Sequence, residues 1–470
     1  MEKTVVMNVV GLTPELLGEH TPFLSEWAER GQQATVEPSL PAVTCSVQST
    51  FLTGTPPSEH GIVGNGWYFR DTAEIRFWLR SGRLIQRPYL WETARQMDPD
   101  FTVANLYWRY AAYSGADHVV IERPMYAADG RKIPDLYTTP SDFRFELQDE
   151  LGQFPLFNFW GPTSSIESSQ WVAASAKMTE RRFDPTLTLL YLPHLDYNLQ
   201  RIGPHDPDLA QDLREIDEVC KDLVTFYEDR GAQVILLSEY GIREADRPVA
   251  LNRMLRREGY ITVREEMGGE LLVPGASDAF AVADHQVAHI YVRDEDDIDD
   301  VRSLVAATDG VDQVLDNNTK ADYDLDHPHS GELIAISERD AWFSYYYWLD
   351  DDMAPDFAPT VEIHRKPGYD PAELFLDPDL TAPQLRASAR LLQKKLGFRY
   401  VMDVIPTNGK LVKGSHGRLP DSTDEGPLLI SNQSSGLSTD ALQATDVHDV
   451  ILSHLTEQSM EQIKSASRDQ

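Results

Sequence analysis

Cysteine is nearly absent. Two in 470 residues, Cys45 and Cys220, make no disulfide framework and lack the spacing of a zinc-ligand set. Long apolar runs are missing too. No stretch of 18 apolar residues occurs, so no membrane-spanning helix is expected. Met1-Glu-Lys-Thr-Val-Val enters a strand-like run without a basic segment or a small-residue cleavage site, so no signal peptide is expected either. These absences together predict a reducing cytoplasm. Basic residues are scarce: 42 Lys and Arg stand against 76 Asp and Glu, a formal net charge of −34. Such a chain is a poor general binder of a nucleic-acid backbone. Acidic patches such as Asp294 to Asp300 read as solvated faces. They also suit a host with high internal salt, where screening reduces self-repulsion. No internal repeat is found.

What is present is enough apolar residue, 41%, for a sizeable core, in two to three domains or one large domain with insertions. The chain is organised around Pro38-Ser-Leu-Pro-Ala-Val-Thr44, a proline-punctuated loop that runs into a short helical pattern ending at Gly54. A hydroxyl at a helix start meets unpaired N–H groups and the positive end of the helix dipole. That place suits a phosphoryl group, and Thr44 there is a candidate nucleophile, given a base or metal to activate it. Taken alone, Thr44 reads more readily as a helix cap, and the rest of the chain shifts that balance. Farther on, Asn65 offers an amide between glycines.

Val5 to Val10, Pro185 to Leu192 and Gln233 to Ser238 read as buried strands, with an amphipathic helix over Leu209 to Tyr227 between the last two. That rhythm predicts a doubly wound, mostly parallel α/β sheet flanked by helices, in which ligands bind beyond the carboxyl ends of strands. Asn8, Asp196 and Glu239 all fall at or near such ends and are candidate oxygen ligands. The expected organisation is a core over 1–245, with an aromatic-rich insertion at about 80–180. An inserted cap over 246–360 follows, then a second core part over 361–430, then a flexible link and C-terminal helix over 431–470. Several smaller features stand out. Arg123, Arg131 and Lys132 are candidates for a phosphate tail. His285 and His289 are four apart, as metal ligands on a helix can be, but Ile-Tyr-Val after them favours a strand. His364 to Asp370 reads as a basic turn at a cleft rim. His416 sits among glycines, which points to a close approach, a metal among the options.

The motif around Thr44, the later His60-Gly-Ile-Val-Gly-Asn65, Asp196-x-x-x-Gln200 before Gly203-Pro204, Ser238-Glu239-Tyr240-Gly241 and Gly414-Ser-His416-Gly417 follow one another in an order that resembles the type I phosphodiesterase/nucleotide pyrophosphatase branch of the alkaline phosphatase superfamily. The likeness covers roughly residues 1–250 and 360–430, and within it a bacterial subgroup with altered metal-ligand positions. It implies an alkaline-phosphatase-like fold and a hydrolase of phosphoric esters or diphosphates, with Thr44 as nucleophile and Asn65 on a substrate oxygen. It also implies two zinc ions, one held by Asp196, Gln200 and His416, the other by Asn8, Glu239 and Tyr240 with Thr44. Asp196, Glu239 and His416 keep ligand character. Asn8, Gln200 and Tyr240 replace an Asp and two His of the family pattern. Oxygen in place of nitrogen shifts the expected metal toward magnesium, manganese or calcium, or toward a single ion. The expected partner is a small phosphorylated molecule: a nucleotide, a diphosphate or a secondary-metabolite precursor. The competing expectation is a non-catalytic member of the fold that binds a phosphate ligand after losing the two-zinc site.

Overall fold

The structure is a computed structural model, and it describes every residue except 129–130, 397, 399–400, 434–436, 438, 457–461 and 464–470. A nine-stranded sheet forms its centre. In chain order its strands are β1 (Thr4–Val9), β2 (Gln32–Glu37), β3 (Val103–Leu106), β4 (His118–Glu122), β5 (Leu136–Thr139), β6 (Leu187–Leu192), β7 (Gln233–Leu237), β8 (Leu428–Ser431) and β9 (Ala441–Gln443). Across the sheet the order is β9-β2-β8-β7-β1-β6-β3-β4-β5. The run β7-β1-β6-β3-β4 is parallel, while β8 and β5 lie antiparallel to their neighbours. Every residue of β1, β6 and β7 is buried, as expected of central strands covered on both faces.

Helices flank this sheet. Glu167–Phe183 and Leu209–Glu228 pack on one another and on β6 and β7. Thr44–Thr53 and Leu90–Met97 both pack on Asp446–Thr456, which also meets β1. A smaller antiparallel sheet forms from Ala279–Asp284, Val287–Val292, Leu333–Ser337 and Val311–Leu315, in that order, backed by Ile298–Ala306. It has its own apolar cluster, which includes Phe280, Ile290, Tyr345 and Trp348. Among the described residues no helix is long and apolar enough to cross a membrane.

Two expectations about organisation are corrected. The aromatic stretch at 80–180 is not an insertion, because β3, β4 and β5 complete one side of the central sheet. Its rings are core: Trp91, Tyr107, Trp108 and Phe154 are buried in the same cluster as β1 and β6. The chain after residue 430 is not merely a link and an amphipathic helix. Ser431 ends a central strand, and β9 pairs with β2. The helix Asp446–Thr456 buries Val447, Val450, Ile451, Leu452 and Leu455, so apolar surface on more than one side anchors it. The last part of the expected helix lies outside the described residues.

Candidate active site

The carboxyl ends of β1, β6 and β7 converge. Asn8 stands level with Tyr191 and Leu237 across the sheet. Glu239 and Tyr240 follow β7 directly, and Asp196 lies on the helix His194–Arg201 that follows β6. Thr44 is the first residue of its helix, one position beyond the N-cap Val43, so the capping role does not apply. That helix is buried throughout and stops at Gly54, whose φ of +66° favours glycine and where a Cβ would crowd the His448 side chain at 3.0 Å.

The hydroxyl of Thr44 lies 3.2 Å from the Tyr240 phenol, and that phenol donates to Asp196 Oδ1 at 3.2 Å. Gln200 Nε2 donates to Asp196 Oδ2 at 2.8 Å, and Gln200 Oε1 accepts from the Tyr369 phenol at 2.9 Å. On the other side, Asn8 Nδ2 and Gln48 Nε2 both donate to Glu239 Oε2, at 2.6 and 2.8 Å. Gln48 Oε1 accepts from the Arg109 backbone N–H at 2.7 Å, which fixes the direction of its amide. The Tyr240 ring stacks on His416 at 3.6 Å between centroids, and His285 lies 3.8 Å from His416 on a tilt. His416 Nδ1 is tied to the Ala42 carbonyl at 2.8 Å.

Electrostatics follow from burial. Desolvation, then repulsion by Glu239, pushes the Asp196 carboxyl up to about 7, and hydrogen bonds from Tyr240 and Gln200 only partly oppose it. Desolvation likewise raises Glu239 against the donors Asn8, Gln48 and Thr44. His416 and His285 are held neutral by burial. Arg109 stays charged: desolvation is the largest single effect on it, but Glu122, 3.1 Å away, together with Tyr191, Cys45 and Glu239, outweighs that cost. Its guanidinium also lies over the rings of Trp78 and Tyr191.

Thr44, Asp196, Tyr240 and Arg109 line one cavity of about 520 Å³. Trp78, Phe159, Trp160, Tyr191, Tyr197 and Tyr369 supply aromatic wall. Its ionic lining balances, with Arg80, Arg109, Lys132 and Arg365 against Glu122, Asp196, Asp356 and Glu362. In a chain so acidic overall, that balance is a local enrichment of cations and suits an anion.

The structure thus brings together Thr44, Asn8, Asp196, Gln200, Glu239, Tyr240 and His416. Asn65 stands apart from the cavity lining. Its Oδ1 accepts from the Cys45 N–H at 3.0 Å and its Nδ2 donates to Asp284 at 3.0 Å, so its amide steadies the Thr44 helix. The two expected histidines separate. His285 lines the cavity, whereas His289 is on a strand and binds the Val63 carbonyl. The glycines around His416 serve backbone packing, because a Cβ at Gly414 would sit 2.1 Å from the Leu199 carbonyl. His364 and Arg365 reach the cavity, as a basic rim predicts, but Lys366 is buried against Asp370 and Glu373, and of the phosphate-tail candidates Lys132 lines the cavity. Gln48, Arg109, Asp284 and Tyr369 escaped sequence reasoning. Only Gln48 left a signal, four residues after Thr44 on the same helix face.

Two zinc ions do not fit this side-chain set. Both oxygens of Asp196 and one of Glu239 face N–H or O–H donors, and these take the place a cation would occupy. The Tyr240 phenol is held far from ionisation by burial and by the neighbouring carboxylates. The Asn8 and Gln200 amides act here as donors. Asn8 Oδ1 and Glu239 Oε1 are left as buried acceptors without a hydrogen-bond partner. That pair falls short of the nitrogen-rich sets that hold zinc.

Comparison with solved structures places this fold. Murine ectonucleotide pyrophosphatase/phosphodiesterase 5, as an inactive variant in complex with AMP, superposes with a TM-score of 0.59 over 97% of this chain and 95% of that one, at 13% identity. Phosphonoacetate hydrolase from Sinorhizobium meliloti 1021, in complex with phosphonoformate, gives 0.59 over the same shares at 15% identity. In sequence, an uncharacterized pyrophosphatase/phosphodiesterase of Schizosaccharomyces pombe is 23% identical over 254 residues, 52% of this chain and 43% of that protein. The match therefore spans less than half of that relative's length. The sequence model of the type I phosphodiesterase/nucleotide pyrophosphatase family matches residues 4–370, and the chain belongs to that family.

Proposed function

We propose that the chain hydrolyses a small anionic ester of the phosphoric ester or diphosphate class, with Thr44 as nucleophile. One observation carries this reading: the unbroken hydrogen-bonded path Thr44–Tyr240–Asp196 on the wall of a cavity that also presents Arg109. Members of the family generally use divalent metal ions, but no step here runs through one. The Thr44 oxygen attacks phosphorus in line. Its proton passes to the Tyr240 oxygen as the Tyr240 proton passes to Asp196. A carboxylate that titrates near 7 is matched to that task at neutral pH. As the Thr44–phosphorus bond forms, the bond to the leaving group breaks, and charge gathers on the phosphoryl oxygens. Arg109 and the positive end of the Thr44 helix stabilise that charge. Water then cleaves the phosphothreonine. The aromatic walls suit a leaving group with a flat or apolar body. A nucleotide such as the AMP bound by the murine neighbour is one candidate class, and an aromatic secondary-metabolite precursor is another.

The competing reading is a binding protein on the same fold. Buried carboxylates that bind amide donors where relatives of the resemblance hold cations favour it. Thr44→Ala separates the two. In an assay with bis(p-nitrophenyl) phosphate and with AMP- and prenyl-diphosphate-type substrates, the enzyme loses turnover on this change and retains turnover in chelator. Turnover by wild type that survives Thr44→Ala would remove Thr44 as nucleophile. Ligand binding without turnover in either protein would favour the binder.

A further inference from the structure

Three side chains able to hold a metal do meet in the structure, but outside the cleft. His194 is the first residue of the helix that supplies Asp196, while Asp212 and Glu215 lie three apart on Leu209–Glu228. His194 Nε2 is 3.2 Å from Asp212 Oδ1 and 3.2 Å from Glu215 Oε2. Yet neither ring nitrogen of His194 makes a hydrogen bond, although its side chain is only 2% exposed. A buried imidazole without a partner is uncommon enough to need a reason.

A cation bound between the three groups would supply that reason. Ligands at 2.0–2.1 Å from a tetrahedral zinc ion stand roughly 3.3 Å from one another. The two His194 separations match that spacing. The carboxylates are also braced from outside. Asn198 Nδ2 donates to Asp212 Oδ1 and Oδ2 at 3.0 and 2.9 Å, and Gln211 Nε2 donates to Glu215 Oε1 at 2.8 Å. That leaves Glu215 Oε2 facing the ring. Hydrogen-bonded carboxylates of this kind are the usual outer support of a metal site. Glu215 is 32% exposed, which gives an ion a way in from solvent.

We infer that His194 Nε2, Asp212 Oδ1 and Glu215 Oε2 form a site for a zinc-class divalent cation, with water in the fourth position. The ion fastens the first turn of the helix that bears Asp196 and Gln200 to the long helix beside it. The site is separate from Thr44 and holds whether or not the chain turns over a phosphoric ester.

The test uses the full chain, stripped with chelator and titrated with zinc chloride by calorimetry, with bound metal counted after gel filtration. Wild type binds one equivalent. His194→Gln and Glu215→Gln lose it with an unchanged circular dichroism spectrum. Asn198→Ala binds about 10–100-fold more weakly, the usual cost of losing an outer hydrogen bond. His416→Ala still binds one equivalent, and zinc raises the melting temperature of wild type but not of Glu215→Gln. Glu215→Gln keeps the test open if His194→Gln does not fold. Absence of zinc binding by wild type overturns the inference, as does wild-type affinity in Glu215→Gln. Loss of the equivalent in His416→Ala, with retention in Glu215→Gln, places the ion in the cleft and overturns it too.

Discussion

Tyr240 lies face to face with His416, the ring centroids 3.6 Å apart and the planes 7° from parallel. The tyrosine covers one face of His416 and sends its hydroxyl to Asp196 and Thr44. That single side chain thus packs on His416 and links Thr44 to Asp196 by hydrogen bonds.

Tyr240→Phe keeps the stacked ring and removes only that link. Turnover is expected to fall by about 10²–10⁴-fold, the range for losing general acid–base transfer. Stability is expected to fall by about 1–3 kcal/mol as well, because Asp196 Oδ1 loses its donor and the buried Thr44 hydroxyl its partner, so the rate loss must exceed what the melt accounts for. Steady-state kinetics beside a thermal melt checks this. A rate within twofold of wild type means the proton leaves Thr44 by another route.

The Asp196 carboxyl gives two pH signatures. It accepts a proton only when ionised, so the rate climbs with pH and passes half its plateau near 7. Its stability effect has the opposite slope. Unfolded Asp titrates near 3.8 and the folded one at about 7, so between those values the folded chain holds the extra proton. Stability from this group is greatest below that window and is lost as pH rises through it. Buried neutral histidines such as His416 and His285 act the other way, so the readout is the difference between wild type and Asp196→Asn. Relative to wild type, the variant gains stability from pH 4 to pH 8, by at most about 4 kcal/mol. Urea unfolding at several pH values measures it, and a difference that is flat in pH contradicts the buried carboxyl.

Asn65→Ala acts on structure more than on substrate. It strips Asp284 of one donor and the Cys45 N–H of its acceptor, both buried. The expected loss is about 1–3 kcal/mol of stability. The activity that remains should show a lower kcat, since the Thr44 helix is less well held, with little change in KM. A raised KM at full stability would return Asn65 to the substrate.

The excess of acid predicts a salt response. With a net charge of −34, self-repulsion opposes compaction, and screening shortens its range from about 30 Å at 0.01 M salt to about 3 Å at 1 M. The thermal midpoint should rise steeply between dilute buffer and molar potassium chloride. A midpoint that stays constant across that range removes the case for a salt-adapted host.

The order of residues alone sets the frame of this protein. Apolar runs such as Val5 to Val10 and Gln233 to Leu237 fold as central strands, because their side chains on both faces are almost all apolar. That placed Asn8, Asp196 and Glu239 along one sheet edge, and the Thr44 and His416 motifs joined them. What these side chains do there depends on how the folded chain packs around them. A linear pattern records which groups are near in kind, but the direction of an amide depends on its partners. Gln48 turns its amide nitrogen to Glu239 because the Arg109 backbone takes its oxygen, and Gln200 turns its own to Asp196 because Tyr369 takes the other end. Aromatic residues between 80 and 180 looked like an insertion because strand and wall share one composition, and only pairing with β6 through β3 separates them. His194 drew no notice in the sequence, since Asp212 and Glu215 reach it only when two helices pack side by side.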